Sequence, residues 1–151
     1  PSLLSNFDDI FLGGHSYGAP SALLASQSSN CVAGLILHDP ALSMGYDLLK
    51  LPPSLPTISY TSDEYHKAGI QCGNVTYHVH GALHGNFGVA PLWAPLWVMR
   101  TLSLIIPACG LADPNQVHDE LAESAKVFTT HPMATVKDER MEEQCTLLGR
   151  V

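Results

Sequence analysis

The residues of this sequence that could do chemistry begin with a serine in a sharp glycine-flanked turn. Ser16 lies within residues 14–18, whose sequence GHSYG has the pattern Gly-x-Ser-x-Gly. An apolar stretch precedes the pattern and a helix-forming stretch follows it, which is the arrangement of a nucleophile elbow. Such a strained turn exposes the serine hydroxyl, and we expect no room for a Cβ atom two residues before or two residues after Ser16. The segment therefore predicts a serine nucleophile.

An acid and a base follow the serine, each at the predicted exit of a strand. Asp39 follows the apolar run at residues 32–37, and His84 follows the run at residues 75–80. Catalytic groups of a parallel α/β sheet lie on loops just beyond the C-terminal ends of its strands. The chain order Ser16, Asp39, His84 is the order found in α/β-hydrolases.

Each of these side chains has a role in such a triad. A serine hydroxyl is a poor nucleophile until a base takes its proton, so His84 would accept that proton and later give it to the leaving group. Asp39 would hold the imidazole in the required tautomer and stabilise the imidazolium. The backbone N–H of Tyr17, at the start of the following helix, would form one half of an oxyanion hole. We expect the second donor to lie upstream of Ser16.

Other aspartates are alternatives to Asp39 as the acid. Asp63 also follows a predicted strand, at the place where many α/β-hydrolases carry their acid, and Asp47 is a further candidate. We favour Asp39 over both.

A metal site is the rival interpretation of the histidines. His78, His80 and His84 form the pattern His-x-His-x-x-x-His, and alternate residues of a strand share one face. Ala82 stands where a metallo-hydrolase of this pattern would have an aspartate. We therefore expect neither a metal nor a cofactor, and ordinary strand roles for the first two histidines.

Strand-like and helix-like stretches alternate along the chain. We predict strands at residues 9–12, 32–37, 57–61 and 75–80, and helices at residues 20–26 and 113–130. This alternation indicates an α/β fold with a mostly parallel sheet and flanking helices. Residues 92–111 are apolar but too interrupted to form a transmembrane helix. Trp93 and Trp97 in this stretch could contact a lipid interface, although we favour a core helix that packs on the sheet.

The length and the charge of the chain limit the kinds of function that it can have. The 151 residues are 46% apolar and 14% charged, as in a globular domain. With 7 basic and 14 acidic residues, the formal charge of −7 argues against nucleic acid as a partner. The chain begins with Pro1 and has only fifteen residues before Ser16. We therefore expect residues 1–135 to be the C-terminal part of an α/β-hydrolase domain in a longer protein, and residues 136–151 to be a charged C-terminal tail.

Four segments together resemble the C-terminal half of the platelet-activating factor acetylhydrolases. They are residues 14–18, 34–39, 56–65 and 84–87, and the similarity extends over about residues 8–131. The resemblance implies a calcium-independent serine esterase of the α/β-hydrolase fold that removes short or oxidised acyl groups from the sn-2 position of phospholipids. Two alternatives remain: a general carboxylesterase or dienelactone-hydrolase-like enzyme acting on small soluble esters, and a non-catalytic hydrolase-like domain.

Overall fold

A sheet of five strands forms the centre of the part of the chain that the structure describes. The structure is a computed structural model, and it describes residues 10–41, 54–106, 108–133 and 148–150. Strands β1 to β4 pair in sequence order and are parallel, whereas β5 is antiparallel to β4. The strands are β1 Ile10–His15, β2 Val32–His38, β3 Thr57–Thr61, β4 Val75–Val79 and β5 Leu148–Arg150. The prediction of an α/β fold with a mostly parallel sheet is confirmed.

Helices lie between β1 and β2 and between β3 and β4, and helices flank the sheet. They are α1 Gly18–Gln27, α2 Asp63–Lys67, α3 Ala90–Trp93, α4 Leu96–Leu102 and α5 Pro114–Thr130, with a 3₁₀ turn at His84–Phe87. The predicted helices at residues 20–26 and 113–130 correspond to α1 and α5. Asp113 caps α5 by accepting a hydrogen bond from the backbone N–H of Asn115, and proline at the first helical position needs no N–H partner.

The two longest helices pack on opposite faces of the sheet. Leu35 and Leu37 of β2 pack in one apolar cluster with Leu23 of α1. Ile36, between them in the strand, packs instead against the cluster that contains Phe128 of α5. Successive side chains of a strand point to opposite faces, so a continuous apolar run suits a strand covered on both sides.

The apolar stretch at residues 92–111 differs from the core helix that we favoured. The chain forms two short helices there, because Pro95 lies between α3 and α4 and lacks the N–H that a continuous helix would use. Met99 is buried, but Trp93 is 86% exposed and Trp97 is 74% exposed. Among the described helices, none is long and apolar enough to cross a membrane.

The C-terminal residues are described only in part. Leu148–Arg150, which we assigned to a charged tail, pair with β4 as β5. The charged segment at residues 137–143 lies outside the described residues, as does Asp47.

Candidate active site

Ser16 occupies a left-handed turn at the end of β1. Its φ is +54°, a conformation that side-chain-bearing residues rarely adopt. The backbone N–H of Ser16 donates to the carbonyl oxygen of His38 at 3.0 Å, and its own carbonyl accepts from the N–H of Ala19 at 3.2 Å. The turn therefore connects β1 directly to α1 and keeps the serine at the edge where β2 also ends.

The two glycines of the elbow differ in their need for space. A Cβ atom on Gly14 would lie 2.3 Å from the carbonyl oxygen of Gly18, which is a backbone clash. A Cβ atom on Gly18 would meet nothing within 4 Å. Our expectation that both positions lack room is correct for Gly14 and wrong for Gly18, because Gly18 already lies in α1 and faces open space.

Asp39 repeats this backbone geometry at the end of β2. Its φ is +44°, and its N–H donates to the carbonyl oxygen of Tyr60 at 2.7 Å. The side chain is fully buried, where an ionised carboxylate needs hydrogen-bond partners. One carboxylate oxygen accepts from the backbone N–H of Ser62 at 2.8 Å, and the other lies 2.7 Å from Nδ1 of His84.

His84 lies between the serine and the aspartate. Its Nε2 is 3.0 Å from the Oγ of Ser16, and its Nδ1 is 2.7 Å from Oδ2 of Asp39. Because a carboxylate can only accept, Nδ1 carries the proton in this bond and Nε2 is left to accept the serine proton. The structure thus brings together the three side chains that the sequence singled out as nucleophile, base and acid.

The loop that carries His84 is fixed by a buried asparagine. Oδ1 of Asn86 accepts from the backbone N–H of Leu83 at 2.9 Å and of Gly110 at 2.6 Å. The carbonyl oxygen of Ala108 approaches Gly85 so closely that a Cβ there would lie 2.0 Å from it. Residues 108–110, just before α5, therefore pack against the 3₁₀ turn and fix its position.

Sequence reasoning missed the contribution of α2. The carboxylate of Glu64 accepts a hydrogen bond from the backbone N–H of His84 at 3.0 Å. The ring of Tyr65 stacks on the imidazole of His84, with centroids 5.4 Å apart and ring planes 11° apart. Burial, together with the carboxylates of Asp39 and Glu64, raises the pKa of Tyr65, so the phenol is neutral at physiological pH. The sequence signals were that Glu64 lies beside the alternative acid Asp63 and that Glu64 and Tyr65 belong to segment 56–65 of the resemblance.

Two further histidines lie behind the triad at the ends of β1 and β2. The rings of His15 and His84 are 4.7 Å apart, and burial, followed by the proximity of His84, lowers the pKa of His15. Burial is also the main reason that the pKa of His38 falls to about 4, and the neighbouring His15 and His118 lower it further. The Nε2 atoms of His15 and His38 are buried without a hydrogen-bond partner. Both imidazoles are therefore neutral at physiological pH.

Asp63, the alternative acid, has a different partner. Its carboxylate lies 2.7 Å from Nε2 of His78 and accepts from the backbone N–H of Gly81 at 3.2 Å. The ring of His66 stacks on His78 at 4.0 Å, and that of His80 meets His78 edge-on at 4.3 Å. The pKa of His78 is lowered, chiefly by burial. This group is separate from the contacts that join Ser16, His84 and Asp39.

The rival metal reading would need His78, His80 and His84 at one point. The first two belong to the cluster around Asp63, whereas His84 contacts Ser16 and Asp39. Within the described ranges, no group of three or more histidine, cysteine, aspartate or glutamate side chains is placed to hold a metal ion.

Tyr17 is the residue that the sequence predicts as an oxyanion donor. It follows Ser16 directly and is the residue immediately before α1. The N-terminus of a helix favours negative charge.

In comparison with known proteins, no family model and no curated sequence matches this chain.

Proposed function

We propose that this protein is a serine ester hydrolase of the α/β-hydrolase fold, with Ser16, His84 and Asp39 as its catalytic triad. The observation that carries the proposal is the unbroken hydrogen-bond series from Oγ of Ser16 through the imidazole to Asp39, at 3.0 and 2.7 Å. The left-handed turn at Ser16 supports it, because strained backbone at a strand exit is the mark of a nucleophile elbow.

In the proposed mechanism, His84 moves one proton in each half-reaction. Oγ of Ser16 attacks the ester carbonyl carbon while Nε2 of His84 takes the hydroxyl proton. The tetrahedral intermediate expels the alcohol, which leaves with that proton, and an acyl-serine remains. Water then gives its proton to His84, attacks the acyl-serine and releases the acid, and the proton returns to Ser16. The N–H of Tyr17 stabilises the oxyanion, and Asp39 stabilises the imidazolium.

Two features favour a phospholipid ester as the substrate. The first is the resemblance to enzymes that cleave short acyl groups at the sn-2 position. The second is the exposure of Trp93 and Trp97 in the helices that follow the His84 turn, because tryptophan suits the headgroup level of a lipid interface. We propose that these tryptophans contact the lipid surface that presents the substrate.

A fluorophosphonate probe tests the nucleophile. The wild-type protein should be labelled at Ser16, and Ser16→Ala should lose labelling together with at least about 10³-fold of the esterase activity. Ser28→Ala, an exposed serine at the end of α1, is the matched control and should keep both. Labelling of another serine in Ser16→Ala would contradict the assignment, and a folded wild-type protein with neither labelling nor activity would favour the non-catalytic alternative.

The substrate class has its own test. Activity should be compared on phosphatidylcholine vesicles carrying a short sn-2 acyl chain and on a soluble acetate ester. Trp93→Ala combined with Trp97→Ala should lower the vesicle rate and leave the soluble rate unchanged. Equal rates of the variant and the wild type on vesicles, or a preference for soluble esters at every acyl length, would favour the general carboxylesterase.

A further inference from the structure

The first turn of α2 contacts both the base and the acid of the candidate triad. Ser62, which caps α2, donates its backbone N–H to Asp39 at 2.8 Å. Two residues later, Glu64 accepts from the N–H of His84 at 3.0 Å, and the ring of Tyr65 lies over the imidazole. A five-residue helix would be marginal by itself. Its geometry is instead fixed by bonds to the loop that it supports.

These hydrogen bonds join α2 to the loop residues that precede and include His84. The N–H of Asp63 donates to the carbonyl oxygen of Ala82 at 2.9 Å, and the N–H of Gly81 donates to the Asp63 carboxylate at 3.2 Å. With the bond from His84 to Glu64, three hydrogen bonds join three residues of the loop to two adjacent residues of the helix. Hydrogen bonds to charged groups are the stronger kind, and two of these three end on a carboxylate.

We propose that Glu64 and Tyr65 are positioning residues for His84. Glu64 fixes the backbone of His84, so that the ring can reach Ser16 and Asp39 at the same time. Tyr65 limits rotation of the imidazole and presents its electron-rich face when the ring becomes an imidazolium. The elevated pKa of Tyr65 agrees with a neutral ring in this role. The proposal rests on the proposed hydrolase function, because it concerns the proton that His84 carries.

The test compares conservative with truncating variants at each position. Tyr65→Phe keeps the ring and should retain kcat within about 3-fold, whereas Tyr65→Leu should lower kcat about 10-fold with little change in KM. Glu64→Gln keeps an acceptor oxygen and should retain more activity than Glu64→Ala, which should lose about 10-fold or more. Lys67→Ala, at the exposed end of the same helix, is the control that should not change kcat.

All rates should be normalised to the fraction of Ser16 that a fluorophosphonate labels at saturation, so that a loss of folded protein is not counted as a loss of catalysis. If Tyr65→Leu and Glu64→Ala match the wild type per labelled site, the positioning roles are wrong while the nucleophile assignment stands. If Ser16→Ala keeps its activity, the hydrolase proposal itself fails.

A second measurement does not depend on turnover. The proton on Nδ1 of His84, held 2.7 Å from a carboxylate, should give a low-field proton NMR signal that is lost in Asp39→Asn. This signal should persist in Glu64→Gln and Tyr65→Phe, and should broaden or vanish in Glu64→Ala and Tyr65→Leu. An unchanged signal in the two truncating variants would overturn the proposal.

Discussion

Acidification should destabilise this protein through His38, and the effect has a size that can be worked out. The pKa of His38 falls from an ordinary 6.5 to about 4, chiefly because burial disfavours the imidazolium. Between these two values the unfolded chain binds the proton and the folded chain does not. The free energy of unfolding therefore falls as the pH is lowered through this window, and is insensitive to this group above it. At about 1.4 kcal/mol per pKa unit, the full contribution is about 3 kcal/mol.

Replacing the titrating ring isolates this contribution. In His38→Phe the ring contacts with Tyr60 and Phe87 are retained, and the adjoining cavity of about 230 Å³, which Phe87 and Leu121 also line, accommodates the larger side chain. Urea unfolding followed by far-ultraviolet circular dichroism should be compared at about pH 7.5 and about pH 5, where the linkage amounts to about 2 kcal/mol. The wild type should lose about 2 kcal/mol more stability between these conditions than the variant.

Differences in packing between the wild type and His38→Phe are present at both pH values, so they cancel when the loss of stability between the two pH values is compared. The lowered pKa values of His15 and His78 add acid sensitivity of the same sign, but they do so in both proteins. An equal loss of stability in wild type and His38→Phe would refute the assignment of a buried neutral imidazole at this position.

Two more predictions follow from the geometry of the site. Asp39→Asn should keep the fold and lower kcat by about 10⁴-fold, because it favours the wrong histidine tautomer, whereas Asp63→Asn should lower kcat far less. Steady-state kinetics of both variants checks this prediction. A larger loss of kcat in Asp63→Asn than in Asp39→Asn would place the acid at Asp63. Gly14→Ala should destabilise the protein by about 3 kcal/mol, because its Cβ atom would clash with the backbone. Gly18→Ala should be neutral or slightly stabilising. Equal unfolding midpoints of the two variants would contradict this difference.

The four parallel strands could be predicted from the sequence because they are short runs rich in apolar and β-branched residues, whereas β5 was not predicted. Val32–His38 and Thr57–Thr61 are covered on both faces, and burial of that kind leaves an uninterrupted pattern of apolar and β-branched residues. Once the strands are known, the strand-exit rule selects Ser16, His84 and two candidate acids, Asp39 and Asp63. The preference for Asp39 over Asp63 came from the resemblance to a known family, not from the rule.

The parts that sequence reasoning missed lack such a local signal. Helix α2 has five residues and no buried one, so it shows no periodicity. Its role depends on bonds to a loop about twenty residues away, which only tertiary structure creates. The exposure of Trp93 and Trp97 was missed for a related reason. An apolar stretch is typical of a protein core, and nothing in the local sequence shows which of its side chains are exposed.

The site around the left-handed residues Ser16 and Asp39 can form only when the strands pair in the correct register. Each is held by a hydrogen bond to the neighbouring strand, from Ser16 to His38 and from Asp39 to Tyr60. A slip of one residue between β1 and β2 would move the nucleophile about 3.3 Å relative to the acid and break the series of bonds. The residues that must meet are 68 and 45 positions apart in the chain. In refolding, Ser16 should therefore become reactive only after all four parallel strands have paired in the correct register.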